Sequence, residues 1–334
     1  MKGKYFLILG VFVLVMLSVF VAAVPSWKIV SCPIDSDTDI VFYGENGFGG
    51  VGDLSESWLV HFLDWWVEQD SSISYVELSA DDVQSNCNFE DFPDLKVYVQ
   101  PGGNAYYQQN KLGSEGKAAL IDYVNSGKGY VGICAGFYYT ASDYFWQDEF
   151  YDHADLLGLY PTVEGSVREI ADYEGNPEYA VTSLSNGFNA LYYGGPTRGY
   201  EYTSSEFPGE SLADFASFGN GLPAVIKDGN MLLNSVHLEA FEDDGFSGLS
   251  SEDRVENYKL LANLINEVSG TSFSVPAYAN PAVCGNDVAE VGEVCDGLDL
   301  AGESCADLGC DDGVVSCNAN CDGFDVSSCV GFGD

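Results

Sequence analysis

The apolar positions between residues 27 and 270 fall into short runs that are separated by turn-forming residues. The runs at 39–43, 95–100 and 129–134 are mostly apolar and predict buried strands, and residues 73–78 alternate as a strand does. Stretches with helical spacing lie between them. Strands that alternate with helices predict an α/β domain over 27–270, a flavodoxin-like parallel sheet with helices on both faces.

Three helices are predicted around this sheet in addition to one that directly follows the strand over 129–134. Ser55 is placed to cap a tryptophan-rich helix, and Ser114 is placed to cap a second helix that ends at Val124. The third helix spans residues 252–268. Its predicted apolar face consists of Val255, Tyr258, Leu261, Ile265 and Val268.

The remaining segments are less regular. Residues 156–202 are rich in Gly, Tyr and Thr and predict short strands and loops beside the main sheet. Residues 224–227 and 231–236 predict a hairpin around an Asp-Gly turn. Residues 271–283 carry no charge and show neither helical nor strand periodicity, so we predict a linker.

The two ends of the chain indicate export. Two lysines precede an apolar run over residues 5–24, and Val21 and Ala23 have the spacing of a signal-peptidase site. We predict residues 1–23 to be a cleaved signal peptide, with a retained N-terminal anchor as the alternative. Both alternatives, a cleaved signal peptide and a retained anchor, place the rest of the chain outside the cell or at its surface. The net charge of −40 argues against a nucleic-acid partner.

The ten cysteines are unevenly distributed. Cys32, Cys87 and Cys134 lie in the predicted α/β domain, and seven others crowd between residues 284 and 329. Such a density in an exported chain predicts a module stabilised by disulfides. A zinc site is the alternative, but the irregular spacing and the lack of histidine disfavour it, so we predict no metal. Pairing Cys32 with Cys87 would leave Cys134 free.

Cys134 is the strongest candidate for chemistry. It stands in Gly-Ile-Cys-Ala-Gly, between a predicted strand and a predicted helix, which is the pattern of a nucleophile elbow. A helix that begins at a cysteine favours the thiolate, which is the reactive form. The alternative is that Cys134 is a small core residue or is paired with another cysteine.

Two further segments complete the predicted site. His237 and Glu239, two residues apart on a predicted extended segment, are expected to share one side, so that Glu239 orients His237 toward the thiol. Pro101-Gly102-Gly103-Asn104 ends a predicted central strand, at the sheet edge where α/β proteins bind ligands. The N–H groups of Gly103 and Ala135 could form an oxyanion hole.

These motifs together resemble the class I glutamine amidotransferases, and most closely the N-terminal domain of biotin–protein ligases. The resemblance rests on Pro-Gly-Gly, on the motif around Cys134, on the late His-x-Glu and on residues 192–196 (Tyr-Tyr-Gly-Gly-Pro). It implies a nucleophile at Cys134, a base at His237 and a third triad member at Glu239. Leu238 stands where those proteins usually have Pro. The resemblance implies no cofactor.

The predicted pocket follows from the same segments. Gly102, Asn104, Gly195 and Arg198 are its candidate lining residues. Arg198 is one of few cations in the chain and is a candidate partner for a substrate carboxylate, with a structural ion pair as the alternative.

The C-terminal module, residues 284–329, resembles small cysteine-rich repeats of secreted microbial proteins. Cys310 is an additional cysteine that the repeats lack. We expect the module to attach the protein to a cell surface. The matching positions, expected to form disulfides, are Cys284, Cys295, Cys305, Cys317, Cys321 and Cys329.

Two functions remain open at this point. The first is an extracytoplasmic cysteine-dependent hydrolase that acts on an amide or peptide substrate through Cys134, His237 and Glu239. The second is a non-catalytic binding module that keeps the fold. Because no synthase domain is present, hydrolysis is a better expectation than glutamine-dependent biosynthesis.

Overall fold

The structure is a computed structural model. The predicted signal peptide or anchor and Cys284 lie outside the residues that it describes. The described residues are 31–160, 163–170, 180–199, 207–216, 221–241, 249–278, 289, 294–300, 303–308, 310–318, 320–321 and 323–332.

Helices and strands alternate through the first part of the described chain. Up to residue 278 they are, in chain order, β1 (Ile40–Tyr43), α1 (Asp53–Gln69), β2 (Tyr75–Leu78), β3 (Val97–Gln100), α2 (Ala105–Asn125), β4 (Gly129–Ile133), α3 (Ala135–Thr140), β5 (Tyr144–Trp146), β6 (Glu149–Tyr151), β7 (Val167–Glu169), β8 (Ala180–Ser183), β9 (Asn189–Tyr192), β10 (Pro196–Arg198), β11 (Glu210–Asp214), β12 (Pro223–Asp228), β13 (Met231–Asn234), β14 (Val236–His237) and α4 (Ser251–Ser269).

A seven-stranded sheet in the order β11-β12-β13-β4-β3-β1-β2 forms the centre of the domain. The five strands from β13 to β2 are parallel, and β12 and β11 continue the sheet as antiparallel strands. The predicted hairpin is formed by β12 and β13, which meet at the pair Asp228 and Met231. The predicted α/β fold with a largely parallel sheet is therefore confirmed.

The two faces of the sheet carry separate hydrophobic cores. Ile40 and Phe42 of β1 belong to the core formed with α1 and α4, whereas Val41 and Tyr43 belong to the core formed with α2 and α3. All four side chains are buried, which explains why the strand reads as a continuous apolar run. Helices cover both faces, as the sequence predicts.

Two small sheets stand beside the main one. One has the order β10-β7-β5-β6, and the other has the order β14-β9-β8. Most of their strands come from the segment that the sequence predicts to be irregular. The strands are only two to four residues long, so they carry little periodicity for a sequence pattern to reveal.

Three predictions about the helices need correction. Helix α1 begins at Asp53 with Gly52 as its N-cap, so Ser55 lies inside the helix and does not cap it. Helix α2 is interrupted at Gly113, which has φ 56° and ψ −166°, so the predicted helix from Ser114 is only its second part. Val255 is 40% exposed and does not belong to the apolar face of α4.

The start of α4 carries a capping box. The Ser250 hydroxyl accepts a hydrogen bond from the Asp253 N–H at 3.0 Å, and the Asp253 carboxylate accepts one from the Ser250 N–H. Replacing Ser250 by Ala is expected to lower the free energy of unfolding by about 1 kcal/mol, because a helix N–H loses its acceptor. Urea unfolding would measure this loss, and an unchanged midpoint would contradict it.

The segment after α4 has no regular structure but packs on the domain. The Trp66 indole N–H donates to the Ser274 carbonyl at 3.0 Å, and the Phe273 ring lies 5.7 Å from that indole. Tyr278 meets Phe188 at 5.8 Å. Residues 271–278 of the predicted linker therefore contact the α/β domain along their length.

Disulfides hold both parts of the chain. Cys32 is paired with Cys87, and Cys134 is the free cysteine among the described residues. In the C-terminal module Cys295 pairs with Cys317, and Cys305 pairs with Cys329. Cys321 is also disulfide-bonded. The strands of the module are β15 (Cys310–Gly313), β16 (Ser316–Cys317), β17 (Phe324–Asp325) and β18 (Cys329–Phe332).

Two features are absent from the described residues. Within those ranges no helix combines the length with the hydropathy that a membrane span needs. The same residues contain no group of three or more His, Cys, Asp and Glu side chains placed to hold a metal ion.

Candidate active site

Cys134 occupies a sharp turn between β4 and α3. Its backbone has φ 50° and ψ −104°, a conformation that residues other than glycine rarely adopt. Its N–H is fixed by a 2.9 Å hydrogen bond to the Asn234 carbonyl on the neighbouring strand β13. Strained backbone of this kind is concentrated at functional sites. The observed turn is the elbow that the sequence predicts.

The two glycines that flank Cys134 allow this turn to close. A Cβ on Gly132 would lie 2.7 Å from the Gly136 carbonyl oxygen. A Cβ on Gly136 would lie 2.0 Å from the Gln100 carbonyl oxygen on β3. Real Cβ atoms do not approach backbone so closely, so a side chain at either position would push α3 away from the sheet.

His237 and Glu239 form a buried pair. The His237 Nδ1 lies 2.7 Å from the Glu239 Oε1, and each side chain is 1% exposed. The sequence predicts that both lie on one extended segment, but β14 ends at His237 and Glu239 lies in the turn that follows. This turn, and not strand alternation, brings the two side chains together. Leu238 is buried and leaves the contact intact.

The thiol and the imidazole meet above Gly102. A Cβ placed on Gly102 would be 2.7 Å from the His237 Cε1 and 3.4 Å from the Cys134 Cβ. The indole ring of Trp58 packs edge-on against His237 at 5.2 Å, and the thiol donates to the Tyr193 carbonyl at 3.4 Å. Because Nδ1 is engaged with Glu239, Nε2 is the ring nitrogen available to Cys134.

The surroundings of His237 set its protonation state. Complete burial lowers the pKa of the imidazole, but the Glu239 carboxylate, and then the Cys134 side chain, raise it more strongly. The net effect raises the pKa of His237 to about 10. The resting site therefore holds an imidazolium at neutral pH, with an acceptor on each side of the ring.

The predicted oxyanion donors lie at the same place. Gly103 and Ala135 line one cleft together with Cys134 and His237. Gly103 pairs with Val51 in an isolated antiparallel β-bridge. The hydrogen bonds of this bridge join the flanking residues: the Gly52 N–H donates to the Gly102 carbonyl, and the Asn104 N–H donates to the Gly50 carbonyl. This bridge leaves the Gly103 N–H unused. The Ala135 N–H begins a helix, where an amide has no partner within the helix.

The cleft has a volume of about 970 Å³ and extends well beyond Cys134. Asn104 lines it, as the sequence predicts, but its side-chain oxygen caps α2 by accepting from the Tyr107 N–H at 3.1 Å. Gly102 lies beneath the thiol and imidazole.

Two predicted pocket residues lie elsewhere. A Cβ on Gly195 would sit 2.0 Å from the Ser235 carbonyl oxygen, so Gly195 is needed for close backbone packing. Arg198 belongs to β10, which pairs with β7, and neither residue is part of the cleft lining. The glycine-rich sequence around Gly195 does not reveal whether it faces a ligand or another strand.

An aromatic wall of the cleft was not predicted from the sequence. Its signal was the tyrosine-rich stretch after the elbow, which has no clear period and becomes a wall only when β5 and β6 form a hairpin beside α2. The members of this wall that line the cleft are Tyr106, Tyr107, Tyr138, Tyr144, Trp146, Phe150, Tyr151, His153 and Tyr193.

The sheet order, with a free cysteine on a strand-to-helix turn at the end of a central parallel strand, defines an α/β protein with a cysteine elbow. Residues 92–155 match the family described as "Biotin-protein ligase, N terminal". The resemblance that the motifs predict is thus confirmed over that segment, which covers β3 to the end of the β5–β6 hairpin. No curated protein matches the chain.

The chain is also similar to several solved structures. A glutamine amidotransferase is 20% identical, with a TM-score of 0.43 over 63% of this chain and 94% of that one. A glutamine amidotransferase of Thermotoga maritima is 12% identical, with a TM-score of 0.35 over 71% and 87%. The glutaminase domain of CTPS from Trypanosoma brucei, with bound acivicin, is 10% identical, with a TM-score of 0.44 over 72% and 96%.

Proposed function

We propose that this protein is an extracytoplasmic cysteine-dependent hydrolase of amide bonds. The single observation that carries the proposal is the arrangement at the elbow. A free, strained Cys134 faces an imidazole whose other nitrogen is held by a buried carboxylate at 2.7 Å. Nucleophile, base and orienting acid are the three parts that acyl transfer requires.

The first half of the reaction follows from these groups. The Cys134 thiolate attacks the amide carbon, and the carbonyl electron pair moves to oxygen, where the N–H groups of Gly103 and Ala135 can stabilise the negative charge. The C–N bond then breaks, and the amine leaves with the proton of the His237 imidazolium. A thioester remains on Cys134.

The second half restores the site. Neutral His237 takes a proton from water, and the resulting hydroxide equivalent attacks the thioester carbon. The C–S bond breaks, a carboxylic acid leaves and the sulfur returns as thiolate beside the imidazolium. Glu239 holds the ring in one orientation throughout and stabilises its positive form.

The location and domain organisation belong to the same proposal. Export of residues 24–334 after cleavage of the predicted signal peptide fits the disulfides in both parts of the chain, since disulfides persist outside the cytoplasm. The C-terminal module would attach the domain to a cell surface. No step of the proposed reaction requires a cofactor.

Alkylation tests the proposal. Iodoacetamide applied to the non-reduced protein is expected to modify Cys134 rapidly at neutral pH, as read by peptide mass spectrometry, and to abolish hydrolysis of peptide amides. The variant His237→Ala should be alkylated slowly, and Cys134→Ala should hydrolyse nothing. Slow modification that does not depend on His237 would refute the hydrolase and support the alternative, a binding module that keeps the fold.

A further inference from the structure

The cleft beside Cys134 has a one-sided charge. Its described lining contains the carboxylates of Asp53 and Glu149 but no Lys or Arg. A substrate carboxylate would therefore meet like charge at both positions. The lining has no Lys or Arg to offset its loss of hydration, and the His237 imidazolium is already paired with Glu239. A substrate cation would meet opposite charge at both positions.

Two cations on elements that border the cleft are engaged elsewhere. Lys111 pairs with Glu45 at 3.2 Å, and Arg168 pairs with Asp148 at 3.7 Å while its guanidinium lies over the Phe145 ring. Neither cation lines the cleft. Moving either cation to a bound carboxylate would thus require breaking an existing ion pair.

The aromatic wall adds a second, independent preference. Tyr138 meets Tyr144 at 4.9 Å, Tyr144 stacks on Tyr151 at 5.0 Å, and Tyr106 meets Tyr151 at 6.4 Å. The rings form a continuous path from the helix that follows Cys134 to Tyr106, which is 40% exposed. Aromatic faces attract ammonium and guanidinium groups, and the attraction strengthens where water is partly excluded.

The net charge of the whole chain also favours a cationic substrate. This charge of −40 attracts cationic molecules over a longer range and accelerates their encounter with a cleft of the same sign. This field does not select a position on the substrate. Selection would come from Asp53, Glu149 and the tyrosine rings, which lie in the cleft itself.

Resting on the proposed function, we propose that the substrate is a basic peptide, with a Lys or Arg side chain beside the scissile amide and no carboxylate there. The cationic side chain would lie along the tyrosine rings, near Glu149, while its amide reaches Cys134. Free glutamine fits poorly, because its α-carboxylate would enter a cleft whose lining has no Lys or Arg and whose imidazolium is already paired with Glu239.

The charge preference can be measured without any substrate. Trimethylammonioethyl and sulfonatoethyl methanethiosulfonate carry opposite charges and both modify a reactive thiol. Their rates at Cys134, each divided by the rate with 2-mercaptoethanol, are expected to favour the cationic reagent by at least about tenfold at low salt. Molar salt should remove most of this preference.

Variants separate the cleft from the overall field. Asp53→Asn, Glu149→Gln and Tyr106→Leu should each reduce the normalised preference, and Tyr106→Phe should retain it because the ring remains. Glu90→Gln is the matched control, since Glu90 is exposed and does not line the cleft. An equal effect of Glu90→Gln and Glu149→Gln would show that only the overall charge acts, and would overturn the inference.

Peptide amides complete the test. In a series that differs only in the residue before the scissile bond, kcat/KM is expected to fall from Lys through norleucine to Glu, with about tenfold or more between the extremes. Equal reagent rates would overturn the inference even if peptides are cleaved. A cationic preference without cleavage of any amide would refute the proposed hydrolase, and the substrate assignment with it, and would leave cation binding.

Discussion

Replacing Glu239 by Gln is expected to slow the alkylation of Cys134 at neutral pH by about tenfold or more, since one pKa unit in the imidazole changes the balance of its two forms tenfold. Gln keeps the shape of Glu and can still accept from the Nδ1–H of His237. It removes the negative charge that contributes most to raising the pKa of His237. Fewer molecules would then hold the imidazolium that stabilises a thiolate at Cys134.

The same substitution should change how stability depends on pH. Because the pKa of His237 is raised from 6.5 to about 10 in the folded protein, the protonated pair stabilises the fold fully below the unfolded value. That contribution is lost as pH rises through this window. In Glu239→Gln the free energy of unfolding should fall less between about pH 6.5 and about pH 9 than it does in the unmodified protein. Urea unfolding at both pH values would measure the difference.

The exposed Glu90→Gln provides the control for both measurements. It changes the net charge by the same amount as Glu239→Gln but lies away from the site. If both variants are alkylated at the rate of the unmodified protein, Glu239 does not set the charge of His237. The role assigned to the buried pair would then be wrong.

The main sheet could be predicted because its strands are buried on both faces. Val97–Gln100 and Gly129–Ile133 have no exposed residues, so their sequences are recognisable as apolar runs that end in glycine-rich turns. The elbow could be predicted for a related reason. Close backbone contact at Gly132 and Gly136 leaves only glycine possible there, and this requirement is visible as a motif.

Other features depend on contacts between distant parts of the chain. The start of α1 at Asp53 is set by a 3.1 Å hydrogen bond from the Gly52 N–H to the Gly102 carbonyl, fifty residues away, so a local capping pattern at Ser55 was misleading. The aromatic wall depends on a hairpin whose strand β5 pairs with β7 at one register position, Phe145 and Arg168. No local pattern encodes such a pairing.

Gly136→Ala is expected to destabilise the domain by about 3 kcal/mol or more, which is the upper range for forcing additional atoms into a closely packed site. On an isolated helix the same change would be favourable, because Ala is the better helix former. Here the new methyl group would lie 2.0 Å from the Gln100 carbonyl oxygen and 2.8 Å from its carbon. Both are backbone atoms of the central strand β3, so no side chain can rotate away to make room.

Gly52→Ala is the matched control for this prediction. Gly52 lines the cleft beside Cys134, but the nearest neighbour of a new Cβ would be 3.5 Å away, which is an ordinary contact. Its cost should stay within about 1 kcal/mol, the loss of a modest N-cap preference. Urea unfolding of both variants would compare the losses directly. If Gly136→Ala is no more costly than Gly52→Ala, α3 can move away from β3 freely, and the elbow is not held as rigidly as the contacts at Gly136 require.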